Sequence, residues 1–246
     1  MSEPRPLALA YHGLGEIPPA QDPYRLSVAP AALRRQIAAL HRYGYRLVTF
    51  GDLVRRTAEG AGRGLAALTF DDGFADNLAL AELGVPATVF VVSGWLGAPH
   101  PDAPWARILD PGEIRRLHAA GIEIGAHTVT HPDLTALDPE AARVELEQSR
   151  RDLEALVQAP VTSAAYPYGR ATAATVRACA EAGFAAACRT KSEGTPDDPL
   201  DFPREDMLNG STQLGLRLKV AGRYEPLMRH RPARALRRLR RMVVER

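Results

Sequence analysis

Two cysteines, Cys179 and Cys188, are all that the 246 residues contain. They are too few and too far apart for a CxxC redox motif or a four-thiolate zinc site, so both read as small apolar side chains of a core. The sequence also lacks any apolar run of membrane-spanning length. Its first apolar stretch, Leu7 to Tyr11, is too short for the core of a signal peptide. The cysteines do not settle the compartment; the missing membrane span and signal-peptide core set the expectation of a cytoplasmic protein. No glycine-rich GxGxxG loop follows that first stretch, which weakens a dinucleotide-binding reading. What is there is ordinary for a globular chain: 46% hydrophobic and 24% charged residues, with 20 Gly and 20 Pro spread along it. That excludes collagen-like, low-complexity and disulfide-scaffold classes and leaves room for one large domain or two small ones.

The net charge of +2 conceals a split. Residues 229–246 hold eight Arg and one Glu, about +7, which leaves the rest of the chain near −5. A body of residues 1–225 and a basic tail of residues 226–246 is the expected division. The tail reads as a helix with Leu236, Leu239 and Val243 on one apolar strip. Two readings stand open for it: peripheral contact with an anionic inner membrane face, or a solvated helix packed on the body. No nucleic-acid partner is expected, because the body is acidic and the tail has no aromatic residue to stack on bases.

Runs rich in Val, Ile, Leu and Ala alternate with segments of helical period, the pattern of an α/β protein. Candidate strands are Leu7–Tyr11, Arg46–Phe50, Leu65–Phe70, Ala87–Val92, Ile122–Ala126, Val161–Tyr166, Phe184–Cys188 and one near Phe202. Most lack apolar/polar alternation, as parallel strands buried on both faces do. In the first helix Leu33, Ile37 and Leu40 form the apolar stripe. Asp110-Pro111 and Asp138-Pro139 pair an N-cap acceptor with proline at the first helical position, and Gly84, Gly121 and Gly183 suit left-handed helix ends. Seven or eight strand-helix units without an obvious linker predict a (β/α) barrel, with an open doubly wound sheet as the alternative.

In a parallel barrel the chemistry sits at the carboxyl ends of the strands. Four such ends carry Tyr11-His12-Gly13, Thr69-Phe70-Asp71-Asp72-Gly73, His127-Thr128-Val129-Thr130-His131 and Tyr166-Pro167-Tyr168-Gly169. Two histidines four apart can converge on one ion if their segment turns. Adjacent carboxylates ending an apolar strand repel unless a cation or a shared proton stabilises them. One carboxylate and two histidines make a three-ligand set with open positions, as in catalytic metal centres, and the second carboxylate is left as a general base. The Pro- and Gly-rich stretch Ser93 to Trp105 falls on the same face. Trp95 or Trp105 could offer a stacking face to a bound ring or simply anchor the loop, and His100 is expected to be solvated.

These motifs resemble the polysaccharide deacetylase family, carbohydrate esterases that share the NodB homology domain. Thr69 to Gly73 matches its first motif, His127-Thr-x-x-His131 its second, and Tyr166 to Gly169 looks like the core of its third. The resemblance spans about residues 7 to 205. It implies a distorted (β/α) barrel of about seven parallel strands and removal of N-acetyl groups from a glycan. It also implies Asp72, His127 and His131 as metal ligands, Asp71 as base, Thr128 as a brace of the histidine loop, and the Tyr168 amide as an oxyanion donor. The donor set suits Zn²⁺, and Co²⁺, Ni²⁺ or Fe²⁺ also fit it.

The chain departs from the family pattern twice. Ala165 stands where the family usually has the Arg that orients the base, so that group comes from elsewhere; Arg204 and Arg170 are the candidates, with Arg204 preferred. No Leu-x-His motif occurs late in the chain, and His12 resembles the amino-terminal acid of the permuted poly-N-acetylglucosamine deacetylases. Two other readings stay open: a carbohydrate-binding homologue without catalysis, and a hydrolase of non-sugar amides.

Overall fold

The computed structural model describes residues 3–18, 20–190 and 196–224. The chain divides into two compact units, Met1–Gly210 and Ser211–Arg246. Among its described residues the first carries ten strands: β1 (Leu7–Tyr11), β2 (Arg46–Val48), β3 (Leu65–Phe70), β4 (Thr88–Val91), β5 (Pro99–His100), β6 (Ala103–Arg107), β7 (Glu123–Ala126), β8 (Ser163–Ala165), β9 (Ala186–Thr190) and β10 (Phe202–Asp206). Its helices are α1 (Pro30–Arg42), α2 (Phe50–Ala58), α3 (Leu80–Leu83), α4 (Pro111–Ala119), α5 (Pro139–Val157) and α6 (Ala173–Glu181). The second unit contributes α7 (Gln213–Val220). The tail motif with Leu236, Leu239 and Val243 lies outside the described residues. No helix among the described residues is long and apolar enough to cross a membrane.

Seven strands close a parallel barrel in the order β1, β3, β4, β7, β8, β9, β10, with β1 paired to both β3 and β10. This is the distorted (β/α) barrel expected. The distortion sits at β3, whose one edge serves two neighbours in turn: β2 takes residues 65–67 and β4 takes residues 69–70. Phe50, on α2, packs edge-on against Phe90 of β4 and Phe202 of β10, at 5.6 and 5.9 Å between ring centroids. Every residue of β1, β3 and β4 is buried, which explains their missing alternation.

The punctuation of the helices follows the local chemistry. Asp110 and Asp138 accept N–H bonds from Glu113 and Ala141, each before a proline that opens the helix. Gly84, Gly121 and Gly183 all have positive φ at helix ends. Cys179 and Cys188 are buried free thiols. Burial pushes the Cys179 thiol up to about 12, so it is inert at neutral pH.

Four expectations need correction, the first being the sixth strand, which is Ser163–Ala165 rather than Val161–Tyr166. The second strand ends at Val48 rather than Phe50, because the Thr49 side chain caps α2 and Phe50 begins it. The seventh runs from Ala186 to Thr190, two residues beyond Phe184–Cys188. On α1 the buried face is Leu33, Gln36, Ala39 and Leu40, with Ile37 only half-buried. Gln36 earns its interior position by accepting the Tyr11 hydroxyl at 3.0 Å.

Candidate active site

Along β3 the side chains of Thr69 and Asp71 share a face by the two-residue period of a strand. Both meet the guanidinium of Arg204, from β10 across the barrel. Arg204 donates to Asp71 Oδ1 and Oδ2 at 2.7 Å each and to Thr69 Oγ1 at 2.8 Å. Thr69 in turn donates to the Leu9 carbonyl at 2.9 Å. The Arg204 guanidinium also lies 5.4 Å from the Phe90 ring centroid. Burial would raise the Asp71 pKa, but Arg204, His127 and His12 together hold it below the usual carboxylate value. The pair keeps both charges, with the Arg204 pKa raised by Asp71 against the cost of burial. Arg170, the other candidate, pairs instead with Asp133, at 2.6 Å. Ala165 is fully buried and offers the site its backbone: the His127 ring bonds through Nδ1 to the Ala165 carbonyl at 2.8 Å.

Alternation would send the next residue, Asp72, to the opposite face. Its φ of 69° breaks the strand there, so two neighbouring carboxylates serve one site. Asp72 Oδ1 is buried without a hydrogen-bond partner and lies 3.5 Å from His127 Nε2 and 3.5 Å from His131 Nε2. The three side chains offer ligand atoms that all lie within 4.8 Å of one another. With Nδ1 of His127 turned to a carbonyl, Nε2 is the ring nitrogen that faces Asp72 and His131. For bonds near 2.1 Å, tetrahedral ligands sit about 3.4 Å apart, and the two Asp72–histidine separations of 3.5 Å match a divalent ion of the zinc type. Burial and the neighbouring His127 push the His131 pKa down to about 4, which keeps that ring neutral and able to ligate near pH 7. For Asp72 burial acts upward, but the His100 hydrogen bond and the fields of His12, His127 and His131 carry the pKa well below the carboxylate range.

The two histidines converge through a turn, with φ of 67° at Thr128 and 59° at His131. Thr128 Oγ1 donates to the His127 carbonyl and accepts the His131 N–H at 3.0 Å. Glu145, from α5, accepts the Val129 and Thr130 N–H groups at 2.9 and 3.0 Å and the Thr130 hydroxyl at 2.8 Å. On the other side Gly94 donates to the Val129 carbonyl at 2.9 Å, and a Cβ at residue 94 would lie 2.5 Å from that oxygen. Positive φ is uncommon for residues with a Cβ and rarer for a β-branched one. Among the described residues four of the six such positions, Asp72, Thr128, His131 and Tyr168, lie around this site.

Tyr168 is in the turn after β8, 53% exposed, with its ring 4.8 Å from that of His131. The next residue, Gly169, has φ of 64°, and a Cβ there would collide with Thr190. His12 follows β1; its carbonyl accepts Asn77 Nδ2 at 2.9 Å, and its Nδ1 is buried without a partner. His12 is close enough to lower the pKa of both Asp71 and Asp72.

His100 overturns its expectation. It is 4% exposed, not solvated, because β5 and β6 form a hairpin that folds it onto Asp72, with Nε2 to Oδ2 at 3.1 Å. Trp95 packs against His131 and His100, at 5.3 and 5.4 Å, and Trp105 against Phe74 at 5.6 Å. Both tryptophans therefore anchor the hairpin side of the site. The parts unread in the sequence are thus His100, the Thr69 support of Arg204 and the Glu145 clamp. Only Thr69 had a signal, its place in the strand-end motif.

The polysaccharide deacetylase family model matches residues 58–187, more than half of the chain. The chain is 38% identical over 140 residues to a chitooligosaccharide deacetylase of Sinorhizobium fredii, covering 53% of this chain and 60% of that protein. It spans about half the length of the curated relatives it matches. In fold it is similar to a Streptococcus pyogenes deacetylase solved with acetate, with TM-score 0.74 and 22% identity over 89% of this chain and 98% of that one. IcaB from Ammonifex degensii is similar too, with TM-score 0.71 and 20% identity over 90% and 97%.

Proposed function

We infer from the chain's membership of the polysaccharide deacetylase family, to which it belongs, that it is a metal-dependent hydrolase of N-acetylated amino-sugar glycans: polysaccharide, oligosaccharide or glycolipid. The products are acetate and a free amine. One observation carries the reading. An unpartnered, buried Asp72 Oδ1 faces two histidine Nε2 atoms, beside a second carboxylate that an arginine holds ionised.

Asp72, His127 and His131 are the residues that would hold a divalent ion, Zn²⁺ by donor type and Co²⁺, Ni²⁺ or Fe²⁺ as alternatives. Bound there, such an ion supplies Lewis acidity toward water and toward the acetamide carbonyl. The chain's own residues do the rest. Asp71 accepts the proton of the attacking water. Each of its oxygens gives one lone pair to Arg204 and keeps another. A base positioned in this way contributes roughly 10²- to 10⁴-fold. The Tyr168 backbone N–H donates to the oxygen that gains charge as the carbonyl is attacked; losing one such donor typically costs about 3 to 4 kcal/mol. His12 hands a proton to the departing amine, which leaves poorly without one. An acid just after the first strand, rather than late in the chain, is the permuted arrangement.

The test is acetate release from N-acetylated chitooligosaccharides by Zn²⁺-loaded protein, with a chelator-treated sample and its metal-restored counterpart. Release that is lost on chelation and regained with metal is the expected result. Binding of the oligosaccharide with no acetate from any sample would overturn the reading in favour of a carbohydrate-binding protein.

A further inference from the structure

His100 sits at the tip of the β5–β6 hairpin, outside the barrel strands whose ends carry the other site residues, and its ring has two defined polar partners. The Asp102 N–H donates to Nδ1 at 3.1 Å. An imidazole nitrogen that accepts a backbone N–H is the unprotonated one, so the ring proton resides on Nε2. Nε2 is therefore the donor in the 3.1 Å bond to Asp72 Oδ2. The ring is held on its faces and edge as well. Phe74 stacks on it with centroids 4.7 Å apart and 30° between planes, and Trp95 meets it edge-on at 5.4 Å.

This arrangement makes the two oxygens of Asp72 unequal. Oδ2 is engaged by a neutral donor of fixed tautomer, while Oδ1 alone is left without a partner in front of His127 and His131. We propose that His100 is a positioning residue for the metal site: it donates Nε2–H to Asp72 Oδ2, holds the carboxylate so that Oδ1 is presented to the ion, and couples the folding of the β5–β6 hairpin to metal affinity. The proposal rests on the metal-dependent reading above. It adds a residue outside the strand-end motifs and ties a surface hairpin to the ligand set. Partners of this kind around a metal ligand are typically worth about 10- to 100-fold in affinity.

The experiment titrates the chelator-treated full chain with Zn²⁺ by calorimetry and records the visible spectrum of the Co²⁺-loaded form, for wild type, His100→Gln and His100→Phe. Phe keeps the stacking on Phe74 and removes the donor, whereas the Gln side-chain amide can replace Nε2–H. The expected result is a Zn²⁺ dissociation constant about 10- to 100-fold weaker in His100→Phe and an altered Co²⁺ spectrum. In His100→Gln both should return close to wild type. Circular dichroism of the metal-free variants separates this from unfolding, and His100→Gln keeps the test valid if His100→Phe does not fold. Wild-type affinity in His100→Phe overturns the proposal. Equal weakening in both folded variants overturns it too, since the ring would then act as a ligand and not as a donor. Failure of the wild type to bind Zn²⁺ overturns the metal-dependent reading itself.

Discussion

Arg204→Lys keeps the positive charge opposite Asp71 and removes the planar fork. The guanidinium makes two parallel bonds of 2.7 Å to the carboxylate and a third of 2.8 Å to Thr69. A lysine ammonium reaches one carboxylate oxygen as a point charge, so at least one charge-assisted bond is lost, worth about 1.5 to 3 kcal/mol. If that energy is what holds the proton-accepting oxygen in place, turnover falls about 10- to 100-fold. The proposed ligand trio is Asp72, His127 and His131, none of which bonds to Arg204, so metal stoichiometry should not change. Acetate release under saturating substrate gives the rate, and metal analysis of the purified variant gives the control. An unchanged turnover number would refute the assignment of Arg204 as the residue that orients Asp71. Metal loss in step with the rate loss would refute the separation of base from ligand set.

Asp71→Asn should lose turnover by roughly 10²- to 10⁴-fold while keeping its metal, whereas His127→Ala should lose both; equal metal loss in the two variants would contradict the division of roles. His12→Gln should slow turnover with metal content intact, and a normal rate would remove His12 from proton delivery. The acid side of the stability profile tests His131, whose pKa in the fold is about 4. Because an unfolded histidine protonates near 6.5, its contribution is fully present above that pH and is lost as pH falls toward about 4. The loss is on the order of 3 kcal/mol, and urea unfolding of chelator-treated protein should show a steeper decline below about pH 6.5 for wild type than for His131→Gln. Parallel curves would sink that account.

The barrel and the strand-end residues were legible because both follow from short-range rules. Buried parallel strands read as unbroken apolar runs, and polar residues that interrupt them mark the carboxyl ends. The extent of β2 was misread because Thr49 and Phe50 suit a strand by type, while the Thr49 hydroxyl is worth more as a cap on the Asp52 N–H. His100 was hidden for a different reason. Its burial depends on a hairpin register and on aromatic contacts with Phe74 and Trp95, which are set by tertiary packing and leave no periodicity around residue 100. Glu145 was equally silent, since one glutamate on a polar helix such as α5 looks like any other until the loop it clamps is folded.

The left-handed bends limit how this protein can be engineered for heat tolerance. Each such torsion in a residue other than glycine costs on the order of 1 to 3 kcal/mol, so glycine scanning would flag them all as gains waiting to be collected. Gln158, which closes α5 with φ of 53°, is a safe target of that kind because its role is confined to the helix end. Thr128 has the same torsion and the opposite prospect: its hydroxyl links the two imidazole-bearing residues, and removing it would relax the turn at the expense of their spacing. Directed evolution for stability alone would therefore drift toward a sturdier barrel with an idle mouth.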